Sequence, residues 1–376
     1  MTTIKYFSMY SGVGGFEYGI QEAISILRDR GTRPKHGRGS ESVLSQQESQ
    51  PTTEIPSVTC IGYSEIDKYA EAVYKYNYGT DIKNYGNADE INAEELPDFD
   101  LLVGGFPCQA FSIAGKRRGF DDTRGTQFFN IARIVREKQP RLLVLENVKG
   151  LLSHDDGRTY HIIASTLDEL GYDVEAQVLN SKNHGVPQNR ERVFIIGRIR
   201  GRGGRQIFPF TGENGRDTRK VGQELSVCLD ANYAKGATVN TLRKQQRQHV
   251  QIRAVLTPDR PTKRQNGRRV KEPGEEMFTL TGQDHHGVCI NTDKLRIRRL
   301  TPKECEQLQG FPNDWTKYGV IEGKVVEMSD TQRYKMMGNA VTTNVIRDIM
   351  IELFSDEPAV EWYPSQKQHG LDGWFG

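Results

Sequence analysis

The chain has 376 residues, of which 36% are hydrophobic and 27% charged, with a formal net charge of +2. That length suffices for a large α/β domain with a smaller appendage, and no apolar run is long enough to span a membrane. The five cysteines, Cys60, Cys108, Cys228, Cys289 and Cys305, are odd in number and include no Cys-x-x-Cys pair. This argues against a disulfide framework and a zinc site, and no metal is expected. Met1 to Ile20 has no basic stretch leading into an apolar one and is interrupted by Gly12, Gly14 and Gly15, so a cytosolic protein without a secretory leader is expected.

Charge is unevenly spread. Residues 201–300 hold 20 Lys and Arg against 10 Asp and Glu, a balance of +10, while the remainder sums to −8. A basic block beside a near-neutral body is the footprint of a polyanion partner, although a solvated surface gives the same count.

From the amino end, short apolar runs that stop at Gly or a polar residue alternate with helical patterns, the rhythm of a parallel sheet. Ile4–Tyr10 reads as a strand entering Ser11-Gly12-Val13-Gly14-Gly15, with a helix over Phe16–Leu27. Residues 31–57 are polar and lack apolar periodicity, which predicts a disordered insertion. The rhythm resumes with Val58–Tyr63 ending at Glu65, Asp100–Gly105 ending at Pro107-Cys108, and Arg141–Leu145 ending at Glu146-Asn147. Val174–Leu179 and Val193–Gly197 close the sheet. Residues 199–295 have few apolar runs and no dependable helix, so a separate small lobe is expected there. Helical text returns at Pro302–Leu308, and Met337-Gly338-Asn339-Ala340-Val341 opens a last helix to Phe354, before a loose tail. The expected division is a catalytic domain over 1–198, a second domain over 199–295, and a segment 296–376 returning to the first.

In such a sheet ligands bind outside the carboxyl ends of the strands, where these polar residues fall. The glycine turn allows close backbone approach, but Glu17 stands where a dinucleotide fingerprint wants Gly, and no P-loop Gly-Lys-Ser/Thr is present. A nucleoside ligand without a pyrophosphate fits better. Glu65 is placed to accept from ribose hydroxyls, or else is a solvated residue at a helix start. Cys108, behind a proline at a strand tip, is either a structural thiol or a nucleophile whose pKa is lowered by Arg190 and Arg192. Glu146 offers a carboxyl beside it. The stretch 112–127 reads as a flexible basic loop able to close over a nucleic acid.

Together these residues resemble the cytosine-5 DNA methyltransferases of bacterial and phage modification type. The resemblance covers residues 4–27, 58–198 and 296–354 and rests on the glycine turn, Pro107-Cys108-Gln109, Glu146-Asn147-Val148, Gln188-x-Arg190-Glu191-Arg192 and Gly338-Asn339, all in the family's order. It implies a Rossmann-like α/β domain dependent on S-adenosylmethionine, whose last helix packs back beside the first strand, and a smaller, irregular, β-rich target-recognition domain. It implies that Tyr10, Gly12, Gly14 and Gly15 cradle the methyl donor, that Glu65 binds its ribose and that Ile66 lies against its adenine. Asn87 stands for a family Asp that accepts from the adenine amino group; Pro107 and Asn339 complete the donor site. Ser8 and Tyr10 replace a common Asp and Phe.

The implied chemistry accounts for the residue types. The Cys108 thiolate attacks C6 of a cytosine flipped out of the duplex, and the covalent adduct makes C5 nucleophilic. Glu146 donates to N3, Arg192 contacts O2, and Arg190 orients Glu146. Water or a side chain removes the C5 proton afterwards. Gln109, Ser112, Lys116, Arg117 and Arg124 in the loop, with Thr279 and Leu280 in the basic lobe, are the expected contacts to double-stranded DNA. A monomer is expected, as part of a restriction-modification pair with a cognate endonuclease or as a solitary or phage enzyme, associated with the nucleoid. The alternatives are a transfer-RNA cytosine-5 methyltransferase on the same fold, which the sizeable basic lobe disfavours, and a silent DNA-binding protein, which intact Cys108, Glu146 and Arg192 disfavour.

Overall fold

The computed structural model describes residues 3–32, 55–107, 127–201, 207–208, 251–258, 268–272, 275–282, 285–291 and 295–355. Its centre is a six-stranded sheet of β1 (Thr3–Met9), β2 (Ser57–Ser64), β3 (Leu101–Gly105), β4 (Leu142–Val148), β5 (Tyr172–Asn180) and β6 (Glu191–Ile199), in the order β2-β1-β3-β4-β6-β5. The first four strands in that order pair in parallel, whereas β6 runs antiparallel to both β4 and β5. The parallel rhythm expected of the first strands holds for β1 to β4, and the two closing strands are antiparallel. Only residues 181–190 separate β5 from β6. A connection that short cannot cross over to a parallel neighbour, so the chain must turn back on itself.

Strand residues alternate between two cores, as the two-residue period of a strand requires. Leu101, Val103, Leu142, Val144, Phe194 and Ile196 face one cluster with Phe16, Ile20 and Ile24 of α1 (Gly15–Thr32) and Val345, Ile346 and Ile349 of α7 (Thr343–Ser355). Leu102, Leu143, Leu145, Val193 and Ile195 face the other, with α3 (Gln127–Lys138) and α4 (Arg158–Glu169). The last helix does return beside the first. Gly19 makes this possible, because a Cβ there would lie 2.6 Å from Ile346 Cβ.

A third cluster draws together the far parts of the chain. It holds Val13 of the glycine turn, Ala70, Ala72 and Val73 of α2 (Lys68–Tyr78), and Met277 and Leu280. It also takes in Leu308 of α5 (Pro302–Leu308) and Met336 and Met337 of α6 (Asp330–Asn339). Against it lies an antiparallel sheet of β7 (Gln251–Leu256), β8 (His286–Asn291) and β9 (Leu295–Arg299), through Ala254 and Val288. A hairpin of β10 (Tyr318–Ile321) and β11 (Lys324–Glu327) precedes α6.

Two boundaries differ from expectation. Helix α1 continues beyond Leu27 to Thr32, and of the expected insertion 31–57 residues 33–54 lie outside the described residues. The segment Met337–Val341 does not open a helix: α6 ends at Asn339, Ala340 is extended with ψ 152°, and α7 begins at Thr343. The helix stops because the Gly338 and Ala340 carbonyls accept from Arg190 while the Thr342 hydroxyl bonds Gln309 Oε1, 2.9 Å away.

The approach to α6 is fixed by a buried acid. Glu306 is fully buried and accepts from Asp314 N at 2.7 Å, Thr316 N at 2.9 Å, the Thr316 hydroxyl, and Arg333 NH2 at 2.9 Å. Arg333→Met would strand this carboxylate without its cation, a change that costs about 3–5 kcal/mol for buried pairs. Urea denaturation of the variant should show a loss of that order.

Candidate functional site

The cavity at the carboxyl ends of β1, β2, β3 and β4 encloses about 620 Å³, open solvent at its mouth included. Of the residues expected to hold the donor, Tyr10, Gly12, Gly15, Glu65 and Asn339 line it, and so does Glu146. Donor-side and base-side residues thus share one space. Ser11, Asp67, Gly105, Lys335 and Met336 also line it and were not singled out from sequence.

The three glycines of the turn serve different ends. Gly12, at φ +56°, has no atom within 4 Å of where a Cβ would stand, so its open side faces the cavity. At Gly14, φ +84°, a Cβ would lie 2.1 Å from the Tyr78 ring, and at Gly15 it would lie 2.7 Å from Val341 Cγ2. Packing therefore requires these last two. Tyr10 holds a left-handed φ of 55°, and its hydroxyl donates to Gln127 O at 2.8 Å.

Glu65 is joined to the turn. Its Oε2 accepts from Gly12 N at 2.8 Å, and its Oε1 from Ile66 N at 2.9 Å and Asp67 N at 2.7 Å. Burial pushes the carboxyl above its ordinary value, and these donors pull it back only in part. Asn84 braces the same corner, accepting from Glu65 N at 3.1 Å and donating to Glu65 O at 2.9 Å. Ile66 is 77% exposed, an apolar side chain left uncovered at this corner. Asn87 caps the short helical turn Ala88–Glu90 by accepting from Asp89 N, donates to Glu90, and is not in the cavity lining.

On the other side, Glu146 and Arg192 meet because β6 is reversed. Register pairs Glu146 with Phe194 and Val148 with Arg192, so Arg192 lies diagonally from Glu146 on the same sheet face. Arg192 Nε and Glu146 Oε1 are 3.0 Å apart. Gly105 on β3 leaves room for this carboxylate: a Cβ there would sit 3.2 Å from Glu146 Oε2. Burial pushes the Glu146 carboxyl up, against the pull of the Arg192 and Arg190 charges.

Arg190 is placed otherwise than as a direct partner of Glu146. Its guanidinium donates to Leu280 O at 2.8 Å, Ala340 O at 2.8 Å and Gly338 O at 3.4 Å. It acts on Glu146 through charge alone. Gln188 is fully buried beside it, accepting from Leu280 N at 2.9 Å and donating to Leu308 O at 2.7 Å. Leu280 is consequently corrected as a DNA contact: its side chain is 2% exposed and both its peptide groups are engaged. The Thr279 hydroxyl donates to Asn189 O at 2.6 Å, which anchors the same element. Cys108, Gln109, Ser112, Lys116, Arg117 and Arg124 lie outside the described residues.

The backbone leading to Cys108 is described, and Pro107 on it is exposed. Asn147, 1% exposed, donates to Phe106 O at 2.9 Å and accepts from Val148 N at 2.8 Å, tying the end of β4 to the peptide before Pro107. Sequence showed Asn147 only as a motif member. Among the described residues no cluster of His, Cys, Asp and Glu is arranged to hold a metal, and no helix is long and apolar enough to cross a membrane.

Known proteins share this sequence pattern and fold. The family model of C-5 cytosine-specific DNA methylases matches residues 4–355. The chain is 32% identical to the orphan methyltransferase M.SPRI of Bacillus phage SPR, over 94% of this chain and 98% of that protein. It is 31% identical to the type II methyltransferase M.HhaI of Haemophilus parahaemolyticus, over 94% and 95%. In fold it is similar to the Dnmt2 methyltransferase of S. pombe, with TM-score 0.56 and 16% identity over 94% of this chain and 98% of that one. The chain belongs to the C-5 cytosine-specific DNA methylase family, enzymes whose methyl transfer depends on S-adenosylmethionine.

Removing the Asn147 amide should displace the Phe106–Pro107 peptide, and a displacement of about 1 Å at reacting groups costs about 100-fold in rate. Single-turnover methyl transfer by Asn147→Ala is expected to fall by that order, with DNA affinity little changed.

Proposed function

We propose that the protein methylates C5 of a cytosine within a specific site of double-stranded DNA, with Cys108, Glu146 and Arg192 acting on the flipped base and the cavity beneath the glycine turn holding S-adenosylmethionine. The observation that carries this reading is the Glu146–Arg192 pair at the end of β4, opening on the same cavity as Gly12 and Glu65. The cavity suits the donor. Ser11 Oγ is buried in its wall with no hydrogen-bond partner, the turn is open at Gly12, and Glu65 presents a carboxyl for hydroxyl groups. Ile66 offers an uncovered apolar face for the adenine, while Asn339 closes the cavity from α6.

S-adenosylmethionine supplies an electrophilic methyl group on a sulfonium centre. The chain's own residues prepare the acceptor. The Cys108 thiolate adds to C6, and charge that moves into the ring is met by a proton held on Glu146 at N3 and by the Arg192 guanidinium at O2. The raised pKa of Glu146 serves this role, since only the protonated carboxyl can donate. Extruding the base costs a few kcal/mol, to be offset by the loop 109–127 and the basic lobe over 199–295, with residues 296–376 completing the catalytic domain over 1–198. Arg190 and Gln188 position the catalytic groups by joining that lobe to the core.

A solitary or restriction-linked role in a bacterial or phage setting agrees with the names of the relatives, which include orphan and type II methyltransferases. Monomeric action in the cytoplasm, on nucleoid or phage DNA, completes the proposal.

Labelled S-adenosylmethionine offered with unmethylated duplex DNA and with transfer RNA should label DNA as 5-methylcytosine with the intact protein and not with Cys108→Ser. Label only in RNA would overturn the DNA assignment, and label in neither would leave a silent DNA-binding protein. Activity should also decline as pH rises through the pKa of Glu146, because the donating proton is lost. Arg192→Gln removes a charge that holds this pKa down, so the alkaline limb of its pH–rate profile should lie at higher pH.

A further inference from the structure

The cavity has two walls far apart in sequence. One is the corner after β2, bearing Glu65, Asp67 and Ala70; the other is the end of α6, bearing Lys335, Met336 and Asn339. Lys335 Nζ and Asp67 Oδ2 meet across them at 2.7 Å, joining residues 268 positions apart. The Asp67 side chain has a second task, since its Oδ1 accepts from Tyr69 N and Ala70 N and so caps α2. Both charged side chains keep contact with solvent, Lys335 at 50% exposure and Asp67 at 27%.

A pair this exposed contributes little to folding. Its position gives it another use. The charged side chains of the lining are Glu65, Asp67 and Glu146 against Lys335. The hydrogen bond that Lys335 donates to Asp67, the charge of Asp67 and that of Glu65 hold the Lys335 ammonium above its ordinary pKa, so it remains a cation throughout the neutral range. Against burial, which works to raise it, that same bond keeps the Asp67 carboxyl below its ordinary value. Methyl transfer changes the charge of what occupies such a cavity: the donor carries a sulfonium cation, and loss of the methyl group leaves a neutral thioether. An uncompensated ammonium in the wall disfavours the donor and leaves the thioether product nearly unaffected.

Resting on the reading of this cavity as the donor site, we propose that Asp67 neutralises Lys335 in the cavity wall and thereby sets the preference of the enzyme for S-adenosylmethionine over its demethylated product. Asp67 and Lys335 are positioning residues in this scheme. The pair sets the electrostatic balance of the wall, and it takes no part in bond making.

The test is calorimetric titration of the intact chain with S-adenosylmethionine and with S-adenosylhomocysteine, for the unaltered protein, Asp67→Asn, Lys335→Met and the double variant. Asparagine still caps a helix, so Asp67→Asn keeps α2 while freeing the ammonium. The ratio of product Kd to donor Kd should fall about three- to tenfold in Asp67→Asn, rise by a similar factor in Lys335→Met, and return towards the unaltered value in the double variant. These shifts should shrink in high salt. A merely structural role would weaken both ligands alike and leave the ratio fixed, which would overturn the inference while preserving the donor site. Failure of the unaltered protein to bind either ligand would overturn the reading of the cavity itself.

Discussion

Everything at the base-handling side of the cavity depends on one strand running the wrong way. Strand β6 enters the sheet between β4 and β5 antiparallel to both, so its amino end lies beside the carboxyl end of β4. The reversal brings a cation to a buried carboxyl at 3.0 Å, through a short connection whose only helical part is the 3-10 turn Ser181–His184. A short connection places the residues before β6 on the same edge as well, which is why Gln188 and Arg190 are available there.

Those two residues form a joint between three pieces of chain. Arg190 binds carbonyls 90 and 150 residues away, and Gln188 reaches carbonyls and amides of the second lobe and of α5. Buried groups of this kind are costly unless every polar atom finds a partner. The Gly338, Ala340 and Leu308 carbonyls belong to helix ends, where the α-helix leaves acceptors unpaired, so one arginine satisfies the stop of α6 while binding the Thr279–Leu280 element. The cavity wall and the lobe beside it are fixed by the same guanidinium.

Much of this was legible in the sequence because the residues concerned end apolar runs. Tyr10 and Glu65 each follow a strand, Glu146 ends the apolar run of β4, and Arg192 stands near the start of β6. The glycine turn was legible as a turn, with Glu17 standing where a dinucleotide fingerprint wants Gly. The burial of Glu17 against the Tyr74 hydroxyl at 3.1 Å, which pushes the carboxyl up to about 7, depends on a helix 57 residues on and leaves no local mark. The direction of β6 was not legible, because apolar periodicity carries no sense of strand direction; the short gap after β5 was the available clue. Leu280 was taken for a DNA contact because Thr279-Leu280-Thr281 resembles the family's short Thr-Leu element near the base-reading loops, and only the contacts of Gln188 and Arg190 reveal that it is buried. Asp67 had a local signature, an aspartate just before a helix, but its partner Lys335 is beyond any local pattern.

The register of the sheet also settles where this chain tolerates growth. Strand β2 starts at Ser57, opposite Thr3, on the edge of the sheet away from the cavity. Helix α1 leaves the glycine turn and travels 18 residues, about 27 Å at helical rise, before the chain heads for that edge. The chain between Thr32 and Ser57 is therefore anchored at both ends on the pole opposite the chemistry, and the entropy of closing a longer loop rises only with the logarithm of its length. The two anchors of that stretch, Thr32 and Ser57, are held at the far pole whatever its sequence or extent.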